Sequence, residues 1–189
     1  MEKSDEEIIG QVLGGHKQAY SILIKRYQRQ IFNLMFRYSR SQNDAADLTQ
    51  EVFLRAYEKL NSFRSEYRFF TWLYTLAVNM ANDWARKKTR LLQHQEQMAD
   101  RMVYPDAAGF RQEKILENRE DLRQLQKAVD MLADDTREIL LLRYHEECSV
   151  KEVARIFSIS ESAVKMRTAR GLRQLQEIMR EAVYGTAKI

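Results

Sequence analysis

Apolar side chains recur every three or four positions along most of the chain, and no stretch alternates convincingly residue by residue. The pattern predicts helices and no strands. The clearest run covers residues 63–90. Phe69, Leu73, Leu76, Met80 and Trp84 share one helix face. Thr71, Thr75, Asn79, Asn82 and Arg86 fall at the same spacing on another face, and Arg86-Lys87-Lys88-Thr89-Arg90 ends the run with cations. Asn and Thr cost up to roughly 0.7 kcal/mol each against Ala in a helix, so a stripe of them implies compensation by packing or by a ligand. Two readings fit this rod. One is a core helix with a solvated polar side and a basic end matched to the helix dipole. The other is a nucleic-acid platform: Asn and Thr bond base edges, loop aromatics stack on unpaired bases, and the cations hold phosphates.

Upstream of the rod, Ser4-Asp5-Glu6-Glu7 reads as a capping box. It opens a short helix with Ile8, Ile9, Val12 and Leu13 on its apolar face, ended by Gly14-Gly15. A longer helix follows from about 16 to 40, with Tyr20, Leu23, Ile24, Tyr27, Ile31, Leu34, Met35 and Tyr38 inward and His16 on the surface. Asn43 or Asp44 caps the next helix, which reaches about Leu60 and buries Leu48, Val52, Phe53, Ala56, Tyr57 and Leu60. Asp44, Asp47, Gln50, Glu51, Arg55 and Glu58 stay outside. That acidic start suits the helix dipole; a docking face for a basic or helical partner is the alternative.

Downstream, periodicity lapses over residues 93–111, which hold the only proline, Pro105, followed by Asp106-Ala107-Ala108-Gly109. Such a length is unusual inside one compact domain, so it reads as a linker between domains at 1–92 and 112–189. A charged helix over about 112–132 carries Ile115, Leu116, Leu122, Leu125, Val129 and Leu132. Asp134 or Asp135 caps the next, with Ile139, Leu140 and Leu142. Ser149-Val150-Lys151-Glu152 is a second capping box, opening VKEVARIF.

The turn Ser158-Ile159-Ser160 then leads into a long final helix, and the pair has the marks of a helix-turn-helix. Val153, Phe157, Ile159 and Val164 pin the crossing, and Ala154 is the small contact residue. Ser158 stands where Gly is usual, and Arg167 where an apolar residue is usual. With Val164, Thr168, Leu172 and Leu175 inward, Lys165, Met166, Ala169, Arg170 and Arg173 turn outward, as on a recognition helix facing a major groove. A solvated basic face on a protein-binding bundle is the alternative. Arg137 and Arg143 read either as phosphate clamps beside the groove or as plain surface residues.

Composition adds limits. The 189 residues carry a formal net charge of +4, mildly basic, so charge placement says more than its sum. A lone Cys148 excludes an internal disulfide; it reads as a thiol that sits in a loop in a reducing compartment, with a redox sensor as the alternative. The acidic N-terminus lacks a signal-peptide core, and no apolar run approaches the roughly 18 residues of a membrane span. There is no His/Cys cluster, no phosphate-binding glycine loop and no nucleophile with a base, so neither an enzyme nor a cofactor is expected.

Three segments together carry a resemblance: DAADLTQEVFLRAYEKLNSF at 44–63, TWLYTLAVNMANDWARKK at 71–88 and AVKMRTARGLRQL at 163–175. In that order they resemble the group IV, or extracytoplasmic-function (ECF), RNA polymerase sigma factors of the sigma-70 family. The resemblance spans nearly the whole chain. It implies an all-α protein in which 1–92 is a sigma region 2-like bundle and 112–189 a region 4-like helix-turn-helix domain. It implies that Asp47, Gln50, Glu51, Phe53 and Arg55 grip the clamp helices of the largest polymerase subunit, and that the flap of the second largest is a further partner. The loop at 61–67, with Phe63, Arg64, Ser65 and Tyr67, matches the one that receives a flipped non-template base at the minus-ten element. Thr71, Thr75, Asn79, Asn82, Arg86, Lys87 and Lys88 continue that surface. Arg143, Ser162, Lys165, Met166, Ala169, Arg170 and Arg173 match the minus-thirty-five side. An anti-sigma factor, often membrane-anchored, is implied as regulator of a cytoplasmic protein. A stand-alone helix-turn-helix regulator and a partner-sequestering bundle are the competing readings; the 44–63 segment speaks against the first.

Overall fold

Ser4 opens the first helix, α1 (Asp5–Leu13), as its sequence predicts. The Glu7 N–H donates to Ser4 Oγ at 3.2 Å, and the Ser4 N–H donates to the Glu7 carboxylate at 2.8 Å. Gly14 closes the helix and Gly15 turns the chain at φ +102°. A 3₁₀ turn at Lys17–Ala19 leads into α2 (Tyr20–Ser39). Asp5 receives both the Arg26 guanidinium and the Tyr27 hydroxyl, which fastens α1 to α2. Burial, and then the bond to Asp5, hold the Tyr27 phenol well above its usual range, so it remains a donor.

Helix α3 (Gln42–Glu58) is capped by Ser41, whose Oγ accepts the Asp44 N–H at 3.3 Å. The pattern pointed to Asn43 or Asp44. The chain turns earlier because Arg40 takes the left-handed conformation at φ +55° and leaves Ser41 extended, ready to cap. A 3₁₀ turn at Leu60–Ser62 and a loop then deliver α4 (Phe69–Glu96).

The computed structural model describes residues 3–96 and 119–185. The sequence-predicted linker from 97 on, and Ile115 and Leu116, lie outside these. Contacts divide the chain into two compact units, Met1–Ala107 and Ala108–Ile189. No strand occurs among the described residues, and the fold is all-α.

In the N-terminal unit α4 packs on both α2 and α3. Ile8, Leu23, Ile31, Leu34, Met35, Val52, Phe69 and Leu73 are fully buried. The apolar face of α4 is wider than its spacing predicted. Phe70, Tyr74, Ala77, Val78 and Ala81 are buried too, since two helices cover it, while Leu76 and Trp84 are only half-buried.

The C-terminal unit contains α5 (Arg119–Asp130), α6 (Asp134–Tyr144), α7 (Val150–Phe157) and α8 (Glu161–Gly185). Neither Asp134 nor Asp135 caps α6; Ala133 is the N-cap and both acids sit in the first turn, where the dipole favours them. Arg137 is neither a phosphate clamp nor a surface residue: it is 5% exposed. Its Nε donates to the Val129 carbonyl at 2.9 Å and its Nη2 to the Leu132 carbonyl at 2.8 Å and to that of Asp130. Its Nη1 reaches Asp134 Oδ1 at 3.1 Å. The final carbonyls of any helix lack intrahelical donors. One guanidinium supplies them at the end of α5 and ties that end to α6.

The second capping box forms, with Ser149 N–H to Glu152 at 2.7 Å and Glu152 N–H to Ser149 Oγ at 3.2 Å. Cys148 sits in the loop between α6 and α7, as expected, and is fully buried there, with its N–H bonded to the Leu142 carbonyl at 2.8 Å. Ser158 ends α7 at φ +54°, the left-handed region expected where Gly is usual. A non-Gly residue there costs roughly 1–2 kcal/mol. Ser158→Gly is therefore expected to stabilise the C-terminal unit by about 1 kcal/mol, read as a rise in the midpoint of its thermal unfolding.

Along α8, Val164 and Gly171 are buried and Thr168 and Leu175 half-buried. Leu172, expected inward, is 40% exposed. Gly171 takes the inward place instead, and one residue further on turns about 100° around the helix.

Candidate nucleic-acid interface

Three exposed surfaces carry the side chains singled out from the sequence. The first is the loop before α4. Leu60 is 1% exposed and fixes the loop's start. The ring of Phe63 lies edge-on to Phe69 and Trp72, with centroids 5.6 and 5.7 Å apart. Phe63 is thus half-buried and anchors the loop to the core. Arg64, Ser65 and Tyr67 are exposed on the loop's rim, and the Tyr67 N–H closes a turn onto the Arg64 carbonyl at 3.2 Å. Trp72 is half-buried beside Phe63 and Phe69.

The polar stripe of α4 divides. Thr71 is fully buried, so its side chain belongs to the core and not to a DNA-facing surface. Thr75 is half-buried and spends its hydroxyl on the Thr71 carbonyl at 2.7 Å. Bonding to the preceding turn is how a Thr inside a helix satisfies its hydroxyl without water. Asn79, Asn82, Arg86, Lys87 and Lys88 are exposed. Arg86 pairs with Asp83 at 2.7 Å. Lys88 lies 4.5 Å from the Trp84 ring centroid and 3.9 Å from Asp44 on α3. A line of amides thus runs from the loop toward a cationic end.

The second surface is on α3. Asp47, Gln50, Glu51 and Arg55 are exposed, with Glu51 and Arg55 paired one turn apart. Phe53 is 5% exposed, and its carbonyl accepts the Tyr20 hydroxyl at 2.7 Å. It supports this face from beneath and is not part of it. Leu54, 59% exposed, belongs to the face and had been passed over. Its signal was there: Asp47, Gln50, Glu51, Leu54, Arg55 and Glu58 follow the three-and-four spacing of a single stripe.

The third surface is on α8. Ser162, Lys165, Met166, Ala169, Arg170 and Arg173 are exposed, opposite Val164 and Gly171. Ser162 Oγ and Ser160 Oγ share a hydrogen bond at 2.9 Å across the start of the helix. Arg167, unusual for its position, is half-buried and approaches Asp135 to 3.8 Å. On α6, Arg143 is half-buried and donates to the Cys148 carbonyl, which holds the loop before α7. An exposed row of two arginines and a lysine at helical spacing can neutralise phosphates, while Met166 and Ala169 can meet thymine methyls.

Among the described residues no group of His, Cys, Asp and Glu is arranged to hold a metal, and no helix is long and apolar enough to cross a membrane.

Comparison with known proteins follows this division. Sigma-70 region 2 matches residues 23–91, and Sigma-70, region 4 matches residues 122–175. The ECF RNA polymerase sigma-E factor of Haemophilus influenzae is 30% identical over 178 residues, spanning 92% of this chain and 94% of its own length. The ECF RNA polymerase sigma factor SigW of Bacillus subtilis is 30% identical, over 96% of this chain and all (100%) of its own. The sigma-E factor of Escherichia coli K12 is 31% identical, over 88% and 90%. Two solved structures share the fold. The sigma factor RpoE in complex with the anti-sigma factor NepR from Bartonella quintana has a TM-score of 0.64 at 24% identity, over 85% of this chain and 96% of that one. CnrH in complex with the cytosolic domain of CnrY has a TM-score of 0.64 at 20% identity, over 94% and 98%.

Proposed function

We propose that this chain, which belongs to the ECF group of the sigma-70 family of RNA polymerase sigma factors, carries out promoter-directed initiation through the three surfaces just described. Membership makes it a factor that directs transcription by RNA polymerase. The exposed face of α3 docks on the clamp helices of the largest polymerase subunit through Asp47, Gln50, Glu51, Leu54 and Arg55. The rim of the 61–67 loop and the exposed part of α4 take the non-template strand at the minus-ten element. The outer face of α8 enters the major groove at the minus-thirty-five element, and the C-terminal unit meets the flap of the second-largest subunit.

The physical division of labour is simple. Reading a base on its Watson–Crick edge requires taking it out of the stack, at a cost of a few kcal/mol. A loop rim with Arg64, Ser65 and Tyr67, followed by Asn79 and Asn82 on a rigid helix, offers hydrogen bonds that offset that cost, and Arg86 and Lys87 hold phosphates beyond it. None of this needs a catalytic group; bond making stays with the polymerase. On α8, Met166 and Ala169 offer no bidentate pairing, so the upstream element is read through thymine methyls, phosphates and DNA shape.

The observation that carries this reading is the exposed row of Asn79, Asn82 and Arg86 along one face of α4, whose other side is core, with Arg64 exposed on the loop that leads into it. A stand-alone regulator would leave the α3 face without a role. The two solved structures named above hold an anti-sigma factor and the cytosolic domain of CnrY. By analogy an anti-sigma factor covers polymerase-facing surfaces of this chain in the cytoplasm.

The upstream contact is tested by salt dependence. In holoenzyme binding to promoter duplex, Lys165→Ala and Arg170→Ala are each expected to lower the slope of log affinity against log salt by about one unit if the contact is to phosphate. An unchanged slope in both would take α8 away from the duplex.

A further inference from the structure

Gly171 is the one buried glycine among the described residues of α8, and it lies where that helix comes close to α6. A Cβ built on it would stand 2.5 Å from Thr136 Cγ2 and 3.1 Å from Leu140 Cδ1. The first distance is one that non-bonded carbon atoms do not sustain. Of the two neighbours, Thr136 is half-buried and Leu140 is buried. Leu140 is 6% exposed and packed. Thr136 is β-branched and sits in the first turns of α6, where its χ1 choices are few. Any side chain at 171 therefore drives α8 away from α6 or forces Thr136 out of place.

We propose that Gly171 is a positioning residue for recognition of the upstream promoter element. Its lack of a side chain sets the crossing of α8 on α6, and so the pose of Lys165, Met166, Ala169, Arg170 and Arg173. This rests on α8 contacting duplex DNA, as proposed above. The helix is seated at two points on its inner side. Near its start is Val164, fully buried, in a helix that packs on α7. Two turns later is Gly171, against α6. The outward residues span both points. Moving the second while the first stays fixed tilts the whole outward row. A displacement of about 1 Å is enough to take side-chain hydrogen bonds out of range. The pairing of small residue and threonine is also specific: the closest clash is with one methyl group, so removing that methyl should relieve most of it and leave only the 3.1 Å approach to Leu140.

The test uses reconstituted holoenzyme and two templates. One is promoter duplex with the upstream element. The other is pre-melted and keeps only the downstream element, so it needs the N-terminal unit alone. Gly171→Ala is expected to weaken binding to the first about tenfold, the size of a lost base-pair contact, and to leave the second unchanged. Adding Thr136→Ala in the same chain should restore most of that loss. Helix weakening cannot explain a fall, because Ala is the better helix former. Gly171→Ala binding the duplex like the parent would overturn the inference, as would a double variant no better than the single one. Loss of the C-terminal unit's cooperative melting in Gly171→Ala would overturn it too, since the glycine would then serve folding alone. If the parent itself gains nothing from the upstream element, the proposed role of α8 fails, which is a different outcome from any of these.

Discussion

Arg137→Ala is expected to unfold the C-terminal unit while leaving the N-terminal unit intact. The guanidinium is 5% exposed and makes four hydrogen bonds, three of them to the carbonyls of Val129, Asp130 and Leu132. Truncation takes the guanidinium from all three carbonyls, of which Val129 keeps the Leu132 N–H at 3.2 Å, and removes the link to α6. Losing several hydrogen bonds from one buried charged group, at roughly 1.5–3 kcal/mol each and less than additive, costs roughly 3–5 kcal/mol. A small domain has about 5–15 kcal/mol in total, and a unit this short sits at the low end. The thermal midpoint of that unit should fall by roughly 10 °C or more. Arg137→Lys should recover little, because a single ammonium cannot span the positions that the planar fork reaches. Calorimetry on the full chain checks this: one transition is lost or strongly lowered and the other stays. Transcription should fail on promoters that need the upstream element and persist on pre-melted templates. A midpoint unchanged to within a degree or two would mean that α5 is closed by other contacts.

The second large effect is on partner binding rather than stability. Asp47→Lys with Glu51→Lys is expected to lower affinity for core polymerase by about a hundredfold or more. Both carboxylates are exposed on one stripe of α3, a turn apart. Reversal removes two attractive charges and places two like charges against whatever cations they met, which costs several kcal/mol at an interface. The fold should barely notice. The pair lost inside the chain, Glu51 with Arg55, is exposed and spaced i,i+4, and such pairs contribute only about 0.3–0.5 kcal/mol. Fluorescence-monitored titration with core polymerase, beside a melting curve, separates the two. Unchanged affinity with unchanged melting would move docking off α3.

The contrast between these two variants also shows what the sequence could convey. Exposed stripes were legible because helical spacing alone places Asp47, Gln50, Glu51 and Arg55 together, and Lys165, Ala169 and Arg170 together. The capping boxes at Ser4 and Ser149 were legible because they close within four residues. What escaped depends on contacts between elements. Thr71 falls in the same stripe as Asn79, yet α4 is covered on two sides near its start and open further along, so one is core and the other surface. Spacing places Phe53 inward and only the resemblance turns it outward, and its burial agrees with the spacing; Phe63, which reads as part of the loop surface, is held by Phe69 and Trp72. Arg137 carries no local sign of burial. Its role exists only because the end of α5 arrives beside it. Gly171 was invisible for the same reason. A glycine in a helix reads as a small penalty until the neighbouring Thr136 is in place. Ser41 displaced the expected caps because Arg40 adopted a left-handed turn, which nothing in the local pattern requires.

The central claim is that this chain brings core polymerase to promoters. The most direct measurement adds purified chain to sigma-free bacterial core polymerase with a pool of genomic promoter fragments and reads run-off transcripts. The account predicts discrete transcripts that depend on the chain, start downstream of two shared sequence elements, and vanish with Asp47→Lys and Glu51→Lys. Duplex DNA binding by the chain with no polymerase binding and no transcripts would contradict it, and would make the chain a stand-alone regulator.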